Sequence, residues 1–105
     1  MKAVGYKTAG LITCANALED IDLPRPAPQG HDILVEVKAV SVNPVDTKIR
    51  TRETPASGEW KVLGWDAVGK VTDTGDAVTE LKTGDEVYYA GSIARPGYRS
   101  PTLPL

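Results

Sequence analysis

The chain is poor in the residues that metal and disulfide chemistry need: 105 residues contain one cysteine, Cys14, and one histidine, His31. A single cysteine excludes an internal disulfide, and one of each excludes a structural zinc site of the Cys₄ or Cys₂His₂ kind. With no partner base identifiable, Cys14 reads as a small apolar residue rather than a nucleophile. His31 follows Gly30 and precedes a strand, which predicts an exposed turn residue. No apolar run approaches the roughly 20 residues that span a bilayer, and the start Met1-Lys2-Ala3-Val4-Gly5-Tyr6-Lys7 lacks the apolar stretch of a secretory signal. These absences predict a cytoplasmic protein with no membrane partner. Basic clusters are missing too: 12 Lys and Arg, scattered singly against 14 Asp and Glu, leave a net charge of −2. No face of that composition suits nucleic-acid phosphates. Gly-x-Gly-x-x-Gly is also absent, as is any alternation of strands with long helices, so this stretch holds no dinucleotide-binding fold.

What remains is an ordinary globular composition, 41 % hydrophobic and 25 % charged. The length suits one domain, which at this size buries roughly two-thirds of the surface its unfolded chain exposes. Ten glycines and eight prolines cut the chain into short segments, favouring strands and turns over long helices. Met1 to Tyr6 reads as a strand, followed by a turn at Thr8-Ala9-Gly10 and a weaker strand within Leu18 to Leu23. Pro24, Pro26 and Pro28 then enforce an extended stretch closed by Gln29-Gly30, because each lacks a backbone donor.

Ile33 to Val42 carries the strongest signal. Ile33, Val35, Val37 and Ala39 share one face of a half-buried strand, with Glu36 and Lys38 on the other, and apolarity then moves to Val40 and Val42. A bulge, or burial of both faces at the strand's end, explains such a switch. Asn43 follows as an N-cap, with Pro44 opening a helical turn through Arg50 and a polar loop from Thr51 to Glu59. Val62 to Val71 contains a strand pair's worth of residues interrupted by Gly64 and Gly69, where backbones turn sharply or approach closely. Thr74-Gly75-Asp76 and Thr83-Gly84-Asp85 read as tight turns with positive φ, and Glu86 to Ala90 as the last strand.

Three segments in this order resemble the medium-chain dehydrogenase/reductase superfamily: His31 to Ala39, Ser41-Val42-Asn43-Pro44-Val45-Asp46, and Leu63 to Val71 together with Leu81 to Tyr88. The resemblance covers about residues 1–97 and is strongest to the zinc-type alcohol dehydrogenase-like and quinone oxidoreductase branches. It implies a mainly β chain, a GroES-like, partly open β-barrel with one short helix. In that superfamily the barrel precedes a Rossmann domain that binds NAD(H) or NADP(H), and the active site lies in the cleft between them.

The resemblance also carries a zinc expectation. Zinc-dependent members place a cysteine where this chain has Asn43 and a histidine where it has Trp65, and neither Asn nor Trp is a usable ligand. No cysteine follows Gly91, where the superfamily's structural-zinc lobe would lie. Zinc is therefore not expected, and the resemblance implies NADPH as the cofactor. By the same resemblance Asn43 and Asp46 line the nicotinamide end of the cleft, orienting the acceptor while the cofactor supplies hydride. Helix capping is the competing and compatible role for Asn43. Trp65 and Lys48 are expected to line the substrate cleft, Lys48 standing where several quinone oxidoreductases have a tyrosine; core packing is the alternative for Trp65. Asp66 is either a lone cleft carboxylate or a turn carboxylate bonded to nearby backbone.

After residue 97 the pattern is lost, and residues 98–105 form a divergent tail whose Pro101 and Pro104 make it a poor strand. The expectation is a truncated or frame-shifted reductase acting on quinones, enones or related carbonyl compounds, inactive without its cofactor domain. The competing class is a protein-binding or assembly module derived from that barrel. Missing strands leave an open sheet edge, which predicts a homodimer or aggregation.

Overall fold

The computed structural model describes residues 1–91, Ile93 and the backbone of Leu103–Pro104. Its elements run β1 (Lys2–Tyr6), β2 (Glu19–Asp22), β3 (Ile33–Ser41), α1 (Pro44–Arg52), β4 (Lys61–Val62), β5 (Asp66–Thr74), β6 (Glu86–Ala90) and β7 (Leu103–Pro104). They form two antiparallel sheets, ordered β2-β1-β4 and β3-β5-β6-β7, and neither closes into a barrel. This is the mainly β, partly open architecture with one short helix that the sequence implies. The boundary at residue 97 and most of the 98–105 tail lie outside the described residues.

The switch of parity in β3 has a bulge as its cause. Val37 pairs with Gly69 and Ala39 with Val68, which leaves Lys38 without an opposite residue. Val40, opposite Ala67, thereby returns to the face that Val35 and Val37 occupy, while Ala39 is carried to the other. A second irregularity, between the Leu34–Asp73 and Val35–Val71 pairs, leaves Thr72 unopposed on β5 and restores the frame at the far end. Burial of Val37 and Ala39 is not found. Ala39 is exposed on the outer face, and Val37 is 48 % exposed because it borders a cleft of about 870 Å³ between the sheets. Gly69 allows β3 and β5 to meet: a Cβ there would lie 2.3 Å from the Glu36 carbonyl oxygen.

The core consists of Tyr6, Ala17, Ile49, Trp65, Val71, Val87 and Tyr89. Tyr6, at the end of β1, also organises α1. Its hydroxyl lies 2.9 Å from the Ile49 carbonyl oxygen, which also accepts the Glu53 backbone N–H at 2.9 Å, and 2.7 Å from the Glu53 carbonyl oxygen at the helix C-cap. The Arg50 guanidinium stacks 4.5 Å from the Tyr6 ring centre and donates to the Thr8 carbonyl at 3.0 Å. Burial pushes the Tyr6 pKa up, partly offset by Arg50.

Three local expectations are corrected. Thr51 and Arg52 belong to α1 rather than to the following loop; the Thr51 hydroxyl bonds back to the Thr47 carbonyl at 2.9 Å, and Arg50 and Arg52 suit the negative end of the helix dipole. Gly84 has the expected positive φ, +97°, whereas Gly75 is required by close approach: a Cβ would meet the Gly30 carbonyl oxygen at 2.3 Å. Leu103–Pro104, although proline-bearing, pairs with Tyr88 and Val87 at the sheet edge, where a missing donor costs least. His31 is exposed, as its turn position implies, and Cys14 is exposed as well.

Candidate active site

The site grows from the junction between β3 and α1. Asn43 has extended backbone angles, φ −124° and ψ 164°, and Pro44 occupies the first turn of the helix, so the chain turns sharply from strand into helix. The half-buried Asn43 side chain donates from Nδ2 to Asp66 Oδ2 at 2.8 Å and to Ser41 Oγ at 3.0 Å. Ser41 and Asp66 are direct partners in the β3–β5 ladder, so the sheet delivers both acceptors to the same amide. Both Nδ2 protons are committed, which fixes the amide in one orientation.

Asp46 sits one turn into α1 and is 5 % exposed. Its Oδ2 accepts the Asn43 backbone N–H at 2.8 Å and its Oδ1 accepts the Gly64 N–H at 2.8 Å. The first bond closes the helix N-terminus, in the manner of a capping box. The second ties that terminus to the turn entering β5. Gly64 makes this turn with φ +92°, and a Cβ there would press to 3.0 Å on Val40 Cγ2.

Of the residues singled out from sequence, Asn43, Asp46 and Asp66 are brought together. Asp66 bonds the Asn43 amide, not nearby backbone as a turn carboxylate would. Trp65 is next to this cluster in the chain but only 3 % exposed, placing it in the core, the alternative that its bulk allowed. Lys48 is exposed on α1. Ser41 was not foreseen; its signal is the register that sets it opposite Asp66, which periodicity alone does not fix. The cluster presents fixed polar groups suited to orienting a ligand by hydrogen bonds.

Among the described residues no three His, Cys, Asp or Glu side chains gather closely enough to hold a metal ion. No helix among them is long and apolar enough to cross a membrane.

Residues 29–99 match the alcohol dehydrogenase GroES-like domain family. Over 97 residues the chain is 45 % identical to the zinc-type alcohol dehydrogenase-like protein of Staphylococcus epidermidis, covering 92 % of this chain and 28 % of that protein. A Rhizobium etli CFN 42 structure, provisionally named a zinc-dependent alcohol dehydrogenase, superposes with a TM-score of 0.86 at 62 % identity, over 91 % of this chain and 28 % of that one. The Escherichia coli quinone oxidoreductase, solved with NADPH, gives 0.77 at 29 % identity, over 95 % of this chain and 29 % of that one. The chain thus spans under a third of the length of these relatives. The open sheets and proline-opened helix among the described residues and these matches lead to one assignment: the chain belongs to the alcohol dehydrogenase GroES-like domain family, the N-terminal domain of the medium-chain dehydrogenase/reductase superfamily.

Proposed function

We propose that this chain is the substrate-side part of a zinc-independent, NADPH-dependent cytoplasmic oxidoreductase that reduces quinones, enones or related carbonyl compounds. The observation that carries this reading is the Asn43 amide, held by Asp66 at 2.8 Å and Ser41 at 3.0 Å where zinc-dependent relatives place a cysteine. An amide nitrogen engaged in this way and a buried Trp65 at the histidine position do not fit a zinc ion. The likeness to a quinone oxidoreductase solved with NADPH supports the choice of cofactor and substrate class.

NADPH, when bound, supplies hydride. This chain's part is positional. Asn43 presents a fixed polar wall against which the acceptor is set, and Asp46 holds that wall through its bonds to the Asn43 and Gly64 N–H groups. With no Gly-x-Gly-x-x-Gly in its sequence, this stretch relies on a dinucleotide-binding unit for the cofactor.

Calorimetry of the chain with NADPH, with and without a quinone, is expected to show no binding. Joined to the cofactor domain of a related quinone oxidoreductase, it is expected to restore quinone-dependent NADPH oxidation, insensitive to chelator and lowered about 100-fold by Asn43→Ala. A folded chimera that binds NADPH but oxidises none would sink the reading and favour the binding-module class. Activity abolished by a chelator would overturn zinc independence.

A further inference from the structure

From the outer edge of β3 we infer that this chain forms a two-fold dimer by antiparallel pairing of β3 with β3 of a second copy. The inference is independent of the catalytic reading. Among the described residues β3 is the end strand of its sheet, nine residues long, and pairs only with β5. An end strand offers a row of backbone donors and acceptors to another chain. Val37 and Val40, on the cleft-facing side of the same strand, are 48 % and 57 % exposed.

Charge and face together select a second copy as the occupant. The register that keeps cleft-facing residues on one side places Val37 against Val37 across the two-fold, and Val35 against the second copy's Val40. The bulge at Lys38 absorbs the extra residue on each side, so Glu36 falls opposite the second copy's Ala39 with its Lys38 alongside. Glu36 and Lys38 are each 59 % exposed and already lie within salt-bridge distance of each other. In the dimer they form a cluster of two acids and two bases, whereas pairing with an unrelated strand supplies no such match. The apolar row Val35, Val37, Val40 becomes continuous across the two copies and covers half-exposed valines that the monomer leaves at its cleft.

The test is sedimentation equilibrium of the chain from micromolar to submillimolar concentration, with circular dichroism to verify the fold of each variant. The expected result is a monomer–dimer equilibrium, weakened at least about tenfold by Val37→Lys, which sets two ammonium groups on the two-fold. Glu36→Lys alone is expected to weaken it similarly, and Glu36→Lys with Lys38→Glu to restore it. A chain monomeric throughout overturns the inference. So does a dimer unaffected by Val37→Lys, which places the contact on another edge, or a charge swap that fails to restore association, which removes the register.

Discussion

Asp46 Oδ1 accepts the Gly64 backbone N–H at 2.8 Å across 18 residues of sequence, while the same carboxylate caps its own helix through Asn43. A buried carboxylate with both oxygens engaged by backbone donors fixes the relation between α1 and the turn entering β5. Replacing this carboxylate by an amide or a methyl group leaves at least one of those donors without an acceptor.

Asp46→Asn preserves shape but points an amide NH₂ at one backbone N–H, so it is expected to cost about 2 kcal/mol, with Asp46→Ala at least as severe. Urea unfolding midpoints measure this, with exposed Asp76→Asn as a control expected to change stability by less than about 0.5 kcal/mol. Equal midpoints for Asp46→Asn and the control would remove Asp46 from its positioning role.

Tyr6→Phe keeps the buried ring and deletes the hydroxyl that serves the Ile49 and Glu53 carbonyls. A loss of about 1 to 2 kcal/mol is expected, read by thermal or urea unfolding. An unchanged midpoint would mean that solvent serves those carbonyls equally well.

The tyrosines also set an alkaline limit. Burial raises the pKa of both Tyr6 and Tyr89 above the ordinary 10.0. The native state then holds these protons more tightly than the unfolded chain, so their contribution is constant at lower pH and stability falls as pH rises past 10.0 through the higher folded values. Unfolding midpoints measured across this range should decline, and Tyr6→Phe should flatten the decline. A midpoint that stays level would contradict the burial of both hydroxyls.

Gly69→Ala brings a Cβ to 2.3 Å from the Glu36 carbonyl oxygen, a backbone atom that moves only if β3 and β5 separate. The expected loss is about 3 kcal/mol, enough to threaten so small a domain. A soluble, cooperatively melting Gly69→Ala within about 1 kcal/mol of the parent would show that the ladder yields easily there.

Local chemistry was legible in the sequence because it depends on neighbours. Pro44 after Asn43 marked the helix start, alternation marked β3, and the apolar shift at Val40 left a bulge or two-faced burial open until the register placed a bulge at Lys38. Long-range links were not. Nothing near Tyr6 indicates that its hydroxyl serves a helix more than 40 residues later, and arginine composition gave no hint that Arg50 would be 4 % exposed. At the site, Asn43 and Asp46 were found by resemblance, but the partnership of Asp66 and Ser41 awaited the strand register. Trp65 is similar: its sequence position suggests a cleft, and only packing places it inside.

The two ends of α1 have a mechanical consequence. Its C-terminal carbonyls are held by Tyr6 of the three-stranded sheet, and its N-terminal turn is held to Gly64 at the entrance to the four-stranded one. The helix is a tie rod between two small sheets, each of which is near the lower limit for standing alone in water. Native-state hydrogen exchange should therefore find the amides of β1 and β5 opening together in the parent, and β1 opening first once either Tyr6 or Asp46 is replaced. Separate openings in the parent would mean that the sheets are held by something other than this helix.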